Sequence, residues 1–175
     1  MSAIEHVRTL TTMSTTVIVG NPKPRSRTYS TAVELAERIT SQQPDHVIDL
    51  ADYGPRLFDW TDQDVRDLVS TVASSSLIIV ASPTYKATYT GLLKLFLDRF
   101  SAGQLSRTVA VPLLVGGDWR HSLAPEVHLK PVLAELGAST PTRGLFLLDC
   151  ELLDSEAFSA WFEIAIAQLR SVVPA

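Results

Sequence analysis

Cysteine is almost missing from this chain: Cys150 stands alone in 175 residues. No intramolecular disulfide can form, and one thiolate cannot build a zinc cluster. Its reading is a small residue near the end of a strand. Glycine is scarce as well, at 8 residues, which excludes collagen-like and Gly-rich flexible architectures. No run approaches the roughly 20 apolar residues of a membrane-spanning helix. An excess of positive charge is also lacking. Fifteen Lys and Arg face nineteen Asp and Glu, for a formal charge of -4, so nucleic acid is a poor candidate partner. The histidines His6, His46, His121 and His128 show no metal-ligand spacing. Residues 1–14 have no apolar core segment of a secretory signal and read as a flexible tail. Residues 15–175 read as one domain, in a reducing cytoplasm.

What is present is alternation. Five short apolar runs occupy residues 16–20 (TVIVG), 47–50, 76–82 (SLIIVAS), 108–115 (TVAVPLLV) and 144–148 (GLFLL). Continuous β-branched runs of this length suit strands buried on both faces. Pro112 cannot donate to a ladder, so a strand end or bulge is expected there. Between the runs, apolar residues recur with helical period. The stripes are Ala32, Leu35, Ala36 and Ile39; Val65, Leu68, Val69 and Val72; and Leu92, Leu93, Phe96, Leu97 and Phe100. A fourth joins Val127, Leu129, Val132, Leu133 and Leu136, ending at Gly137, and a fifth runs from Phe158 to Leu169. Thr61 or Asp62 is placed to cap the second helix. Parallel strands need such crossovers, which are right-handed. The expectation is an α/β three-layer sandwich around a five-stranded parallel sheet in the order 2-1-3-4-5.

In a doubly wound sheet, ligands bind beyond the carboxyl ends of the strands, at the switch in strand order. Here that switch lies between strands 1 and 3. Residues 20–28 (GNPKPRSRT) follow strand 1. Ser26 and Thr28 bring hydroxyls to a helix start, where free N–H groups and the helix dipole favour an anion. Lys23, Arg25 and Arg27 add three positive charges within five residues, an arrangement suited to phosphate. A capped helix beneath a solvated basic loop is the alternative reading. Neither a G-x-x-x-x-G-K-[ST] nor a G-x-G-x-x-G pattern is present. After strand 3, Pro83, Thr84, Tyr85 and Lys86 can offer N–H groups and an aromatic edge to a flat ring. Strand 4 runs into Gly116 and Gly117, where backbone can approach a ligand closely.

Three segments, residues 20–28 (GNPKPRSRT), 81–100 (ASPTYKATYTGLLKLFLDRF) and 115–138 (VGGDWRHSLAPEVHLKPVLAELGA), carry a family resemblance. The chain resembles the NAD(P)H-dependent FMN reductases of the flavodoxin-like superfamily, especially the branch serving two-component monooxygenases. By that resemblance, Asn21, Lys23, Ser26 and Thr28, with the Arg27 backbone, hold the FMN phosphate. Pro83, Thr84, Tyr85 and Lys86 line the ribityl chain and ring, and Gly116 and Gly117 flank its other edge. NADPH or NADH is the reductant, and hydride passes from nicotinamide C4 to flavin N5 with no catalytic residue supplied by the protein. Trp119, Arg120 and His121 are placed to meet the nicotinamide nucleotide. The resemblance further implies a homodimer or homotetramer and a flavin-dependent monooxygenase as partner. Other uses of the same scaffold are an FMN-bound quinone, azo or metal reductase and a flavodoxin-type electron carrier. Family members usually carry Ser, Arg and Thr where Asn21, Lys23 and Val115 stand. Some have a helix bulge near Val127 and His128, and Pro131 removes the hydrogen bond to the Val127 carbonyl, which favours such a defect here.

Overall fold

The computed structural model describes residues 10–172. Five strands, β1 (Thr15–Val19), β2 (His46–Asp49), β3 (Leu77–Pro83), β4 (Val109–Gly116) and β5 (Leu145–Leu148), form one sheet. Every pairing is parallel and the order is β2-β1-β3-β4-β5, as the alternation predicts. The helices are α1 (Arg27–Thr40), α2 (Gln63–Ser74), α3 (Gly91–Leu97), α4 (Lys130–Glu135) and α5 (Glu156–Val172).

Strand residues alternate between the two faces of the sheet, and each face has its own core. Ile18, Ile48, Ile78, Val80 and Phe146 point to the side covered by α2, α3 and α4. Val17, Val19, Ile79, Val111 and Leu147 point to the side covered by α1 and α5. Each fully buried Leu, Ile or Phe contributes about 1.5–3 kcal/mol by leaving water. Leu10 is buried in the second core, so the packed chain begins before residue 15, earlier than the tail boundary expected from sequence. Residues 1–9 of that tail lie outside the described residues.

Asp62 caps α2 by accepting from the Val65 N–H at 3.0 Å. Phe100 lies beyond the end of α3 but stays buried. The helix ahead of α4 is a π-helical turn, Pro125–Leu129, in which the Lys130 N–H reaches the Pro125 carbonyl. This is the defect that Pro131 favours. One expectation fails at Pro112, which sits inside β4 with unbroken register to β3. The Val109 N–H donates to Ser76 on the β3 side and the Ala110 N–H to Ser139 on the β5 side. Alternation then turns the Pro112 nitrogen toward β5, one residue before that ladder begins at Leu113. The missing donor falls where no partner waits, so β4 itself runs on against β3 without a bulge or a strand end.

Candidate functional site

The loops after β1, β3, β4 and β5 meet beyond the carboxyl ends of the strands. Backbone and side-chain hydrogen bonds stitch them together. The Gly20 N–H donates to Ala81 at 2.8 Å, and the Thr90 hydroxyl donates to the Gly20 carbonyl at 2.5 Å. The Thr84 N–H donates to Val115 at 2.7 Å, and the Asp149 N–H to Gly116 at 3.0 Å.

In the first loop, Ser26 caps α1 by accepting from the Tyr29 N–H at 3.3 Å. The Arg27 and Thr28 N–H groups open the helix without a hydrogen-bond partner among the described residues. Asn21 is buried. It donates to Thr28 Oγ1 at 3.2 Å and accepts from the Lys23 N–H at 3.0 Å. The three cations do not act as a group. Arg25 is claimed by Asp49 and Asp52, both at 2.8 Å. Asp52 first, and Asp49 with it, raise its pKa above the ordinary arginine value. Arg27 reaches away to the Asp149 carbonyl at 2.8 Å and carboxylate at 3.2 Å. Lys23, exposed, is the one cation of this loop without an ion pair among the described residues.

The second loop holds itself by backbone. Tyr85 and Thr88 exchange hydrogen bonds of 2.8 and 3.3 Å across Lys86 and Ala87, whose φ angles are 51° and 68°. Left-handed central residues suit a tight hairpin turn. Tyr85 and Lys86 are consequently exposed, while Thr84 Oγ1 is buried without a hydrogen-bond partner among the described residues. A hydroxyl left so costs about 1–3 kcal/mol until something meets it. Gly116 lies against it: a Cβ there would stand 3.2 Å from Thr84 Oγ1 and 2.7 Å from the Phe146 ring. Gly117, in contrast, is exposed, with open space where its side chain would be.

The expected residues therefore share one corner, a shelf with Lys23, Tyr85, Lys86 and Gly117 exposed on it and Asn21, Ser26, Thr28 and Gly116 buried beneath. Two deeper recesses lie elsewhere. One of about 760 Å³ sits at the amino ends of the strands, among Ser74, Ser75, Ser106 and Arg107. Another of about 610 Å³, lined by Phe58, Leu92 and Leu95, borders the corner at Pro22, Ala51 and Gly91. Neither has the loop chemistry of the shelf.

Comparison with known proteins agrees with this geometry. The family model described as NADPH-dependent FMN reductase matches residues 13–151. The chain belongs to that family. This makes it an NAD(P)H:flavin oxidoreductase that uses FMN with NADPH or NADH. A Pseudomonas putida protein named FMN reductase (NADPH) is 31% identical over 147 residues, covering 79% of the reductase and 73% of the relative. An Escherichia coli protein of the same name is 43% identical over 77 residues, covering 44% and 40% of the two chains. The apo crystal structure of the NADH:FMN oxidoreductase EMOB superposes with a TM-score of 0.82 at 28% identity, covering 94% of the reductase and 91% of that chain.

Three side chains of the reductase that frame the corner escape a sequence reading. Thr90 caps α3 through the Leu93 N–H at 3.2 Å while pinning Gly20. Asp149 takes the Arg27 guanidinium on its carboxylate while its backbone N–H donates to the Gly116 carbonyl. Asp49 is buried at the end of β2 and receives the Arg25 N–H and guanidinium on one oxygen, both at 2.8 Å. The one available signal was an acidic residue closing an apolar run beside three cations. Arg120, expected to meet the nicotinamide nucleotide, is exposed and paired with Asp118 at 2.6 Å. That guanidinium and the Arg120 N–H lower the Asp118 pKa to about 2. Trp119 leans on Phe146, with ring centroids 5.6 Å apart.

Proposed function

We propose that the reductase seats the FMN phosphate on the opening turn of α1 and the flavin ring between the β3 and β4 loops. After reduction it releases the flavin to a flavin-dependent monooxygenase. When bound, FMN supplies the hydride acceptor, N5, for nicotinamide C4. The chain binds and orients. Asn21, Lys23, Ser26, Thr28 and the Arg27 N–H take the phosphate. Pro83, Thr84, Tyr85 and Lys86 take the ribityl chain and one side of the ring, and the Gly116–Gly117 backbone takes the other edge. The observation that carries this reading is the buried Thr84 hydroxyl beside Gly116, which has no hydrogen-bond partner among the described residues and belongs to the same loop cluster as the unpaired opening N–H groups of α1. Release is supported by the exposure of Lys23, Tyr85, Lys86 and Gly117 and by the pairing of Arg25 and Arg27 with carboxylates, which leaves Lys23 as the first-loop cation without an ion pair among the described residues. Lys23 lacks the bidentate fork that arginine would offer a phosphate.

The same reading places the protein in a reducing cytoplasm as a homodimer or homotetramer. The exposed apolar side chains Phe58, Leu123 and Val127 support the association. The deciding assay is NADPH and NADH oxidation by purified protein with and without added FMN, followed by desalting. Turnover that requires added FMN, with flavin lost on desalting, is the expected result. Flavin that stays bound while a quinone is reduced would overturn the release step. Oxidation indifferent to FMN would overturn the reading as a whole.

A further inference from the structure

We propose that Asp49 is a positioning residue for the flavin phosphate: it holds the loop after β1 in the shape that turns the opening N–H groups of α1 toward the anion. This rests on the phosphate assignment above. Asp49 closes the edge strand β2 opposite Val19, the last residue of β1, so it stands beside the point where the loop departs. Its side chain is 1% exposed. Oδ2 accepts both the Arg25 N–H and Arg25 Nη1 at 2.8 Å, and Oδ1 accepts the Ala51 N–H at 3.3 Å.

Those bonds fix an unfavourable conformation. Arg25 has φ of 50°, a left-handed region that is unfavourable for a residue with a side chain. Pro22 and Pro24 have no N–H, so Lys23 and Arg25 are the donors left between them and the capping Ser26. Lys23 gives its N–H to Asn21, and Arg25 gives its N–H to Asp49. Both loop amides are thereby turned inward, and the free amides are the ones that begin α1. The guanidinium covers the carboxylate, helped by Asp52. Asp49 thus shapes an anion site without contacting the anion.

The test is a fluorescence titration of the protein with FMN and, separately, with riboflavin, which has the ring and ribityl chain but no phosphate. The unaltered protein is expected to bind FMN at least tenfold more tightly than riboflavin. Asp49→Ala is expected to weaken FMN binding at least tenfold and riboflavin binding less than twofold. The KM for FMN should rise, with kcat at saturating FMN changed less than threefold. Arg25→Gly should cost FMN binding about threefold, because glycine adopts the left-handed turn but lacks the second tether. If Asp49→Ala folds poorly, Asp49→Asn, which keeps one acceptor oxygen, should still lose three- to tenfold for FMN alone. An Asp49 variant that keeps its full preference for FMN overturns the proposal, as does an Arg25→Gly loss equal to that of Asp49→Ala, which would assign the effect to charge. If the unaltered protein itself shows no preference for FMN over riboflavin, the phosphate assignment fails first and this inference with it.

Discussion

The loops after β1 and β3 serve one corner but are held by different means. The first is pinned from outside: Asp49, Asp52 and Asp149, from the ends of β2 and β5, take two of its three cations. The second is held by its own backbone hairpin, with Tyr85 and Lys86 left exposed. The first loop presents amides from a braced frame, while the second presents side chains and one unmet hydroxyl. Both keep residues with side chains at positive φ: Arg25, Lys86 and Ala87 are three of the five among the described residues. Backbone strain of this kind concentrates where a binding shape must be kept.

Substitutions can break or sharpen that contrast. The largest effect is expected at the seam between the two loops. A Cβ on Gly20 would meet the Leu93 Cβ at 2.5 Å and its Cα at 3.1 Å. Gly20→Ala should therefore cost about 3 kcal/mol, seen as a lower thermal midpoint, by forcing a packed helix aside. An unchanged midpoint would mean that the loops are not rigidly joined. Next comes the free cation. Lys23→Ala should weaken FMN binding by about 1.5–3 kcal/mol in low salt, with a smaller loss as salt screens the charge. Equal loss for riboflavin would remove Lys23 from the phosphate.

Thr84→Val is nearly isosteric and removes the unpartnered hydroxyl. The protein without flavin should gain about 1 kcal/mol in a denaturant melt while FMN binding weakens. Loss of stability instead would show that the hydroxyl already has a partner. The smallest effect is at Ala87, whose φ of 68° suits glycine. Relief of strain outweighs the added freedom of the unfolded chain, so Ala87→Gly should stabilise by roughly 0.5 kcal/mol. A destabilised Ala87→Gly variant would show that the hairpin holds its shape without strain.

Much of the fold was legible because period and burial coincide. The stripe Ala32, Leu35, Ala36 and Ile39 is buried throughout, and the runs around Ile18 and Ile79 are buried on both faces. The π-helical turn before Pro131 was legible from the family resemblance, with the missing Pro131 donor in its favour. Pro112 was misread because a missing donor matters only on the side where a partner strand runs, and sequence does not say which side that is. The loops of the corner were legible from residue type, but their internal commitments were not. Arg25 and Arg27 read as phosphate ligands until the fold brings Asp49 and Asp149 beside them from 24 and 122 residues away. Charge pairing over such separations leaves no local signature.

Pro112 also marks where the sheet rim is fastened. Opposite it, residues 140–144 loop out between the Val109–Ser139 bridge and the Leu145 start of β5, so no partner strand needs its missing amide. Their backbone groups are taken by the covering layers instead. Lys130 Nζ donates to the Thr142 carbonyl at 2.9 Å, Glu126 receives the Gly144 N–H at 2.7 Å, and Trp161 Nε1 from α5 donates to the Arg143 carbonyl at 2.8 Å. Helices on opposite faces are thus riveted to the same five residues. A stretch that would otherwise have been bare rim, open to another chain's strand, has become the clasp that closes both layers.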